Sequence, residues 1–483
     1  MKTTHQETFQ PIATKAQRAA QSASIASGHG IYLGHRDGDW MFAPPQQSVL
    51  VLGPPRSGKT TSLIIPNLLA APGPVVATST KPDVIVATRA ARSRVGRCLV
   101  FDPTGTMDVS DGTTSVRWSP VQSCHTWDGA LGTARAMVAV GRASTSGSTG
   151  ALRFDHWSER AEALIAPLLH AAALDGADLR TLLSWIDRRR ALPAQQILAG
   201  APGDSAPLAM DLLEGVTCTD DRELSGIWST ASGAVGGYRT EAAVAATTAP
   251  DFDPMAFVRS SDTLYICAPG RRQALVAPMV VGIIEDIRTA AYEHHARTHA
   301  DEHQQPPVLL ALDEAANIAP LPDLPAIVSE GGSQGLTTLA CFQDLSQAKQ
   351  RWGQAADGFL SLFGTTVVLP GIGDVTTLEA LSVLAGDEEV GTHSLSSGRV
   401  PTGRLLSDAL TGGAIRHTTT SGTVRRRRLP ADVITRGGAD HALAFDERNR
   451  VGWVPLAPCH RSEPWLTIAA PTRQRALGRD AGR

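Results

Sequence analysis

The segment that most constrains the fold of this chain is glycine-rich, 49-VLVLGPPRSGKTTSLIIP-66. Residues 53–60 match the pattern G-x-x-x-x-G-K-[ST], with an apolar run before them and helical spacing after them. In a strand–turn–helix unit of this kind, the helix N-terminus and the turn hold phosphate. Further short β-branched runs alternate with helical patterns, which predicts a parallel sheet buried on both faces. The sequence therefore predicts an α/β nucleotide-binding domain.

We expect the phosphate site to be formed by Gly53, Arg56, Ser57, Gly58, Lys59, Thr60 and Thr61. In this motif Gly58 permits close backbone approach, Lys59 contacts the β and γ oxygens, and the Thr60 hydroxyl binds Mg²⁺. Pro54 and Pro55 lack N–H donors, and we interpret them as stiffening the loop. The predicted cofactors are therefore ATP and Mg²⁺.

An acidic strand end is predicted to complete the site, about 250 positions further along the chain. The run 308-VLLALDE-314 ends in Asp313, expected to hold Mg²⁺ through water, and Glu314, expected to orient or deprotonate the attacking water. The next apolar run, 337-TTLACFQD-344, places Gln343 as a candidate γ-phosphate sensor. Lys81 and Asp83 are predicted on the same rim of the sheet, where ligands gather.

The order of apolar runs predicts one sheet that a helical segment interrupts. Residues 31–120 and 250–470 are expected to form the nucleotide-binding domain, and residues 121–249, which have helical spacing and few strand-like runs, an inserted all-helical domain. Hairpins are predicted at 31–44 and 441–456. The predicted buried strands are 49–52, 75–77, 98–101, 264–267, 308–312, 337–342 and 365–369.

Three segments have compositions typical of irregular structure. Residues 1–30, rich in Ala, Ser, Thr and Gln, predict a flexible N-terminal arm, and residues 471–483 a loose C-terminal tail. Residues 391–424, rich in Ser, Thr and Gly, predict a mobile loop.

Composition excludes several classes of protein. A net charge of -3 gives no global signature of nucleic-acid binding, so DNA contacts require a local patch or a pore made by assembly. Six scattered cysteines without a CxxC pair indicate reduced thiols rather than disulfides or zinc. No apolar run approaches the ~18 residues of a membrane span, and no signal peptide is evident. We expect a soluble, cytoplasmic chain without a transmembrane segment.

In their order and spacing these motifs resemble the TraG/TraD-type coupling proteins of type IV secretion and conjugation, within the wider HerA/FtsK group of pumping ATPases. The most specific block is 313-DEAANIAPLPDLPAIVSEGGSQGLTTLACFQDLSQAKQRWG-353. Further matches are GPPRSGKTTSLIIPNLL, 99-LVFDPTGT-106, 118-WSP-120, 360-LSLFGTTVVLPG-371 and 425-RRRRLPADVITRGGADHALAF-445.

The resemblance implies a RecA-like P-loop ATPase domain with a mostly parallel sheet and an inserted all-α domain that reads the substrate. It implies a DNA-stimulated, Mg²⁺-dependent ATPase that assembles as a homo-hexamer at the inner face of the cell membrane. The implied partners are single- or double-stranded DNA, a relaxase or secreted effector, and components of the type IV secretion channel. Lys59, Glu314 and Gln343 would carry the catalytic roles. Thr60 and Asp313 would bind the metal.

The sequence departs from the family pattern in two places. Relatives usually begin with a membrane anchor, so this chain is either shortened or a naturally soluble member that docks on a membrane partner. Relatives also carry arginines that serve the neighbouring subunit, at positions occupied here by Gly332 and Gln334. Arg271, Arg272 and Arg351 are the alternative candidates for that role.

Other functions stay open from the sequence. An ATP-regulated secretion adaptor for protein effectors, or a HerA/FtsK-like DNA translocase outside conjugation, would use the same nucleotide motifs. Residues 425–428 offer phosphate contacts but are also typical of a solvated charge run. Trp157, Trp185 and Trp228 offer base stacking, although aromatic residues at helical spacing more often form a core.

Overall fold

The structure is a computed structural model, and it describes residues 3–36, 39–107, 112–145, 156–298, 305–400, 414–438 and 440–469. Its strands are β1 (Tyr32–Arg36), β2 (Asp39–Phe42), β3 (Val49–Leu52), β4 (Val75–Ser79), β5 (Cys98–Phe101), β6 (Thr114–Ser115), β7 (Thr263–Cys267), β8 (Val308–Leu312), β9 (Leu336–Phe342), β10 (Thr365–Val368), β11 (Asp387–Val400), β12 (Ala414–Arg427), β13 (His441–Phe445) and β14 (Val451–Pro455).

Helices make up most of the remainder. They are α1 (Thr3–Ala26), α2 (Ile65–Ala70), α3 (Asp83–Arg92), α4 (Trp127–Thr145), α5 (His156–Leu174), α6 (Leu179–Asp187), α7 (Leu192–Gly200), α8 (Ser205–Thr217), α9 (Asp221–Ala234), α10 (Glu241–Thr247), α11 (Pro254–Val258), α12 (Gln273–Thr298), α13 (Ala315–Ile318), α14 (Leu324–Glu330), α15 (Leu345–Trp352), α16 (Phe359–Leu362), α17 (Val375–Leu384) and α18 (Ala431–Arg436). A π-helical turn, Thr60–Ile64, leads into α2.

The main sheet has ten strands in the order β14-β13-β10-β3-β9-β8-β4-β7-β5-β6. Neighbours from β10 to β6 pair in parallel, whereas β13 and β14 add an antiparallel edge. The carboxyl ends of β3, β9, β8 and β4 therefore lie side by side at one rim. In open parallel sheets this rim is the place where ligands bind.

Both faces of the central strands are buried, as the continuous apolar runs predict, whereas the edge strands β6 and β14 are partly exposed. Leu50 and Leu52 of β3 join one hydrophobic cluster, which continues into the helices of residues 122–298. Val49 and Val51 join a second cluster on the opposite face, together with Trp465. The alternation of the side chains along β3 thus separates the two cores.

Between β6 and β7 the chain is helical, from α4 to α11 among the described residues. Trp185 and Trp228 are buried in the core of this helical part, at 7% and 4% exposure. Trp157 is 42% exposed, and its ring lies against Gly226, where an added Cβ would come within 2.5 Å of it. Two of the three tryptophans are therefore core residues. The helical character predicted for residues 121–249 agrees with these elements.

The prediction of a flexible N-terminal arm is corrected by α1. This helix packs through small and polar residues at helical spacing, and Ala13, Gln17, Ala20 and Ser24 are all buried. The Gln17 side-chain amide donates to the carbonyl of Ala91 over 3.0 Å. Ile12 and Ile25 of this helix are more than half exposed, so the described contacts are made by small residues and by a buried hydrogen bond rather than by large apolar side chains.

The prediction of a mobile loop at 391–424 is also corrected. Asp387–Val400 and Ala414–Arg427 form one long antiparallel ribbon, and residues 401–413 lie outside the described part. The turn of the first hairpin, 37–38, and the predicted tail, 471–483, also lie outside it. None of the helices that the structure describes combines the length and the apolar character needed to cross a membrane.

Candidate functional site

The phosphate loop connects β3 to the helical turn that begins at Thr60. The Gly53 N–H donates to the Phe342 carbonyl over 3.1 Å, which fixes the start of the loop to the end of β9. Gly58 has a φ of 101°, a conformation that L-residues with a Cβ rarely adopt. Arg56 also has a positive φ, 67°, and its side chain is exposed. The loop is thus held open by its own backbone geometry.

Lys59 is buried, at 6% exposure, beneath the loop. Its ammonium donates to the Gly53 carbonyl and, over 3.0 Å, to the Pro54 carbonyl. Thr61 donates to the Gly58 carbonyl over 3.3 Å. The positive charge therefore lies inside the loop, where an anion would be bound.

The two distant halves of the predicted site meet at one hydrogen bond. The Thr60 hydroxyl donates to Oδ2 of Asp313 over 2.7 Å, across 253 positions of sequence. Asp313 is 6% exposed, and Thr78 of β4 donates to its carbonyl over 3.2 Å. Burial raises the pKa of Asp313 to about 6, and the hydrogen bond from Thr60 opposes that rise. Thr78 was not predicted from the sequence, because a buried threonine within a strand gives no distinguishing pattern.

Glu314 follows in the left-handed region, with a φ of 56° and a ψ of 48°. Its carboxylate is half-buried and accepts a hydrogen bond from the Asn317 side chain over 3.2 Å. A left-handed conformation at a residue other than glycine is strained and is often found at functional sites. This conformation turns the chain sharply after β8, and Asp313 and Glu314 both lie in the resulting bend.

Gln343 follows β9, the strand between β3 and β8. This order places Gln343 at the rim between the phosphate loop and Asp313. Its backbone N–H donates to Oε1 of Gln347 over 2.9 Å, and Asp344 caps α15. Lys81 and Asp83 lie at the same rim beyond β4 and are exposed.

The residues present fit a nucleotide with its Mg²⁺. Ser57 Oγ in the phosphate loop is buried and has no hydrogen-bond partner within the described residues, as expected where a bound phosphate would accept from it. Around it are the buried Lys59 ammonium, the glycine that the loop geometry requires, and a hydroxyl–carboxylate pair of the kind that binds hard cations.

A family model described as type IV secretory system conjugative DNA transfer matches residues 2–409. The chain belongs to this family. No curated protein matches it significantly. The unbound bacterial conjugative coupling protein TrwBdeltaN70 is 18% identical, with 92% of this chain and 90% of that chain covered and a TM-score of 0.64. The plasmid coupling protein TrwB in complex with ADP and Mg²⁺ is also 18% identical, with 86% and 85% covered and a TM-score of 0.62.

Membership of the conjugative DNA transfer family confirms the predicted family and the role as a coupling-type P-loop ATPase in conjugation. The likeness to TrwB confirms the predicted fold, a RecA-like domain with a mostly parallel sheet. Involvement with DNA and a type IV secretion system follows from the family.

Gly332, one of the two positions at which the resemblance led us to expect an arginine, is closed to a side chain. A Cβ added to Gly332 would lie 1.8 Å from the Gln46 carbonyl oxygen, so the close contact between these backbones requires glycine. Arg351 donates to the Ala316 carbonyl over 2.8 Å and is half-buried, and burial lowers its pKa. Arg351 is therefore engaged within its own subunit.

The two arginines after β7 differ in their contacts. Arg272 donates to the Thr104 carbonyl, in the loop that follows β5. Arg271 is exposed and has no ion pair or hydrogen bond with any part of the chain that the structure describes. Both lie at the carboxyl-end rim of the sheet, because β7 pairs in parallel with β4.

The basic run is largely neutralised by its own ribbon. Arg425 and Arg427 pair with Asp387 at 3.3 and 3.1 Å, and Arg426 pairs with Glu388 at 3.0 Å. These three residues are therefore poor candidates for phosphate contacts, although the run motivated that prediction.

Proposed function

We propose that the chain binds ATP with Mg²⁺, hydrolyses it, and uses the cycle to bring DNA or a relaxase–DNA complex to a type IV secretion channel. The hydrogen bond between Thr60 and Asp313 carries the proposal, because it unites the phosphate loop and the acidic strand end. Family membership and the ADP and Mg²⁺ bound to TrwB in its solved structure support it.

Each residue has a role that follows from its position. Lys59 would exchange its bonds to the loop carbonyls for bonds to the β and γ oxygens, which carry more charge. Thr60 and Asp313 would hold the Mg²⁺, which supplies electrostatic stabilisation of the phosphate charge. Glu314 would orient or deprotonate the attacking water, and Gln343, at the rim between them, would contact the γ-phosphate.

The first experiment measures steady-state ATP hydrolysis with and without DNA. We expect hydrolysis to require Mg²⁺, to be stimulated by DNA and to be lost in Lys59→Ala. The matched control is Lys349→Ala, because Lys349 is 58% exposed and pairs with Asp357 away from the site. Equal hydrolysis by Lys59→Ala and the wild type would refute the site assignment.

We infer that the helical part, residues 121–249, reads the substrate. Leu192 and Leu208, on the adjacent helices α7 and α8, are 62% and 57% exposed, which favours docking of a protein such as a relaxase. Leu192→Asp with Leu208→Asp in the full chain is expected to abolish binding of a purified relaxase while basal ATP hydrolysis is unchanged. Hydrolysis that DNA does not stimulate, together with retained binding of a protein partner, would instead support the adaptor function.

We further propose that the chain assembles as a hexamer at the inner face of the membrane and that Arg271 serves the neighbouring subunit's nucleotide. Arg271 alone among the three candidates is exposed without an internal partner in the described structure. An arginine supplied in this way stabilises the charge of the transition state.

Subunit mixing tests the role of Arg271. Arg271→Ala and Glu314→Gln should each be inactive alone, and their mixture should regain activity, because some interfaces then hold both native residues. Arg297→Ala is the control, since Arg297 is exposed and pairs with Glu293 on its own helix. Full activity of Arg271→Ala, or a mass in solution that stays monomeric with ATP and DNA, would contradict the proposal.

A further inference from the structure

Strands β11 and β12 form a long two-stranded ribbon. Each strand has 14 residues, with Asp387 opposite Arg427 at one end and Val400 opposite Ala414 at the other. At about 3.4 Å per residue the ribbon is roughly 45 Å long. The side chains of residues 391–399 and 417–427 are all exposed. An isolated two-stranded ribbon is only marginally stable in water, so binding to a ligand or partner outside the subunit would stabilise this one.

Charge is distributed unevenly along this ribbon. Near its root, Asp387 and Glu388 form ion pairs with the arginines of residues 425–427, and Glu389 lies opposite Arg425, so three carboxylates face three arginines. The distal half, defined as residues 392–400 and 414–424, contains no aspartate or glutamate but includes Arg399 and Arg416. The distal half is therefore positively charged, whereas the root is balanced.

Hydrogen-bond donors line one face of the distal half. Residues opposite each other in an antiparallel pair share a face, and so do alternate residues along each strand. In the observed register, one face carries His393, Leu395, Ser397, Arg399, Ile415, His417, Thr419 and Ser421, whereas Arg416 belongs to the other face. Leu395 is the large apolar side chain on this face whose exposure is described, at 71%. Six of these eight residues are polar or charged, which favours a charged ligand over a protein interface with an apolar core.

The root of the ribbon connects to the nucleotide site. Thr377 of α17, the helix before β11, accepts a hydrogen bond from the Leu345 N–H over 3.0 Å, two residues beyond Gln343. On the other side, Gly371 donates to the carbonyl of Thr435 in α18, the helix after β12, over 2.8 Å. A Cβ at Gly371 would lie 3.1 Å from the Pro54 ring of the phosphate loop. A rearrangement at the phosphate loop or near Gln343 would therefore act on α17 and α18, the helices at the base of the ribbon.

We propose that the distal half of this ribbon binds the sugar-phosphate backbone of nucleic acid. The positive charge of residues 392–400 and 414–424, which include no acidic residue, provides the attraction, and short hydroxyl and imidazole donors provide contacts that do not depend on base sequence. A two-stranded ribbon is also narrow enough to enter a major groove. The inference rests on the proposed function in one respect, namely that the nucleic acid is the DNA being transferred.

The test compares two double variants of the full chain that lose the same charge. Arg399→Gln with Arg416→Gln removes the arginines of the distal half, and Arg426→Gln with Arg427→Gln removes two that are paired at the root. Binding of a labelled duplex and of a labelled single strand is measured by fluorescence anisotropy over a series of salt concentrations. Thermal unfolding and mass in solution confirm that each variant is folded and assembled as the wild type.

For the distal variant we expect weaker binding and a shallower dependence of log K on log salt. The slope should fall by about 0.7 to 0.9 for each phosphate that the variant no longer neutralises. The root variant should retain a slope close to that of the wild type. An unchanged slope in the distal variant, when the wild type binds DNA, would overturn the inference and leave the proposed function intact. Failure of the distal variant to assemble, with its DNA affinity retained, would assign the ribbon to a second copy of the chain. If the wild type does not bind DNA, both this inference and the proposed role in DNA transfer are refuted.

Discussion

The left-handed backbone at Glu314 leads to a prediction in which activity and stability change in opposite directions. An L-residue in this region costs about 1–2 kcal/mol relative to the right-handed region, whereas asparagine adopts it readily. With a φ of 56° and a ψ of 48°, Glu314 lies at the centre of the region. We therefore expect Glu314→Asn to raise the free energy of unfolding by about 0.5–1 kcal/mol.

The same change removes the carboxylate that acts on the water. Loss of a general base typically lowers the rate by about 100- to 10,000-fold. Glu314→Gln is the matched control, because it removes the charge but keeps the length of the side chain and can still accept the hydrogen bond from Asn317. Its free energy of unfolding should lie within about 0.5 kcal/mol of the wild type.

Urea unfolding without nucleotide and steady-state hydrolysis of ATP are measured on the wild type and both variants. The expected order of stability places Glu314→Asn above Glu314→Gln, with both inactive. If Glu314→Asn is the less stable of the two, the attribution of strain to this residue is wrong. If Glu314→Gln hydrolyses ATP at the wild-type rate, Glu314 is not catalytic.

Three further predictions concern buried contacts of the fold. Arg92 is fully buried and donates to the carbonyls of residues 71, 73 and 261, so Arg92→Leu should lower the free energy of unfolding in urea by about 2–4 kcal/mol; a decrease below about 1 kcal/mol would contradict this. Gly332→Arg should lower it by more than about 2 kcal/mol because of the contact with Gln46, whereas Gln334→Arg should be tolerated. Burial raises the pKa of Asp286 to about 6, so its protonation contributes stability that is fully present below about pH 4 and lost as the pH rises through 6. Asp286→Asn should make the free energy of unfolding depend less on pH between about 4 and 6. If the pH profile of unfolding is the same in this variant as in the wild type, Asp286 is not the group responsible.

The strands, and the contact between the phosphate loop and the acidic strand end, were predictable because their physical signals are local. A strand buried on both faces must be a continuous apolar run, and the predicted bounds 49–52, 98–101 and 308–312 agree with the structure. The phosphate loop and the acidic strand end are each recognisable from a short pattern. They come together because parallel strands have their carboxyl ends at the same rim of the sheet. The order of the strands, with β9 between β3 and β8, depends on long-range pairing that no short pattern encodes.

The elements that were mispredicted lack an apolar stripe. Helix α1 docks through Ala13, Gln17, Ala20 and Ser24, a set that composition alone assigns to a flexible arm. The ribbon is exposed on both faces, so its Ser, Thr and Gly residues show none of the alternation that marks a half-buried strand. Arg92 was overlooked for a related reason, since a buried guanidinium surrounded by carbonyls has no sequence signature.

The closed position at Gly332 bears on how a complete active site is assembled. With Gly332 packed against the Gln46 backbone, an arginine there would displace the chain that leads into β3 and thus disturb the phosphate loop itself. Arg351 is held within its own subunit and Arg272 is bound to the loop after β5. Arg271 follows β7, which the strands β9, β8 and β4 separate from β3, so it lies roughly 19 Å along the rim from its own phosphate loop at about 4.8 Å per strand. At that distance Arg271 can act on a nucleotide only across an interface. Under the role that we propose for Arg271, full activity requires assembly, and hydrolysis per subunit should rise with protein concentration.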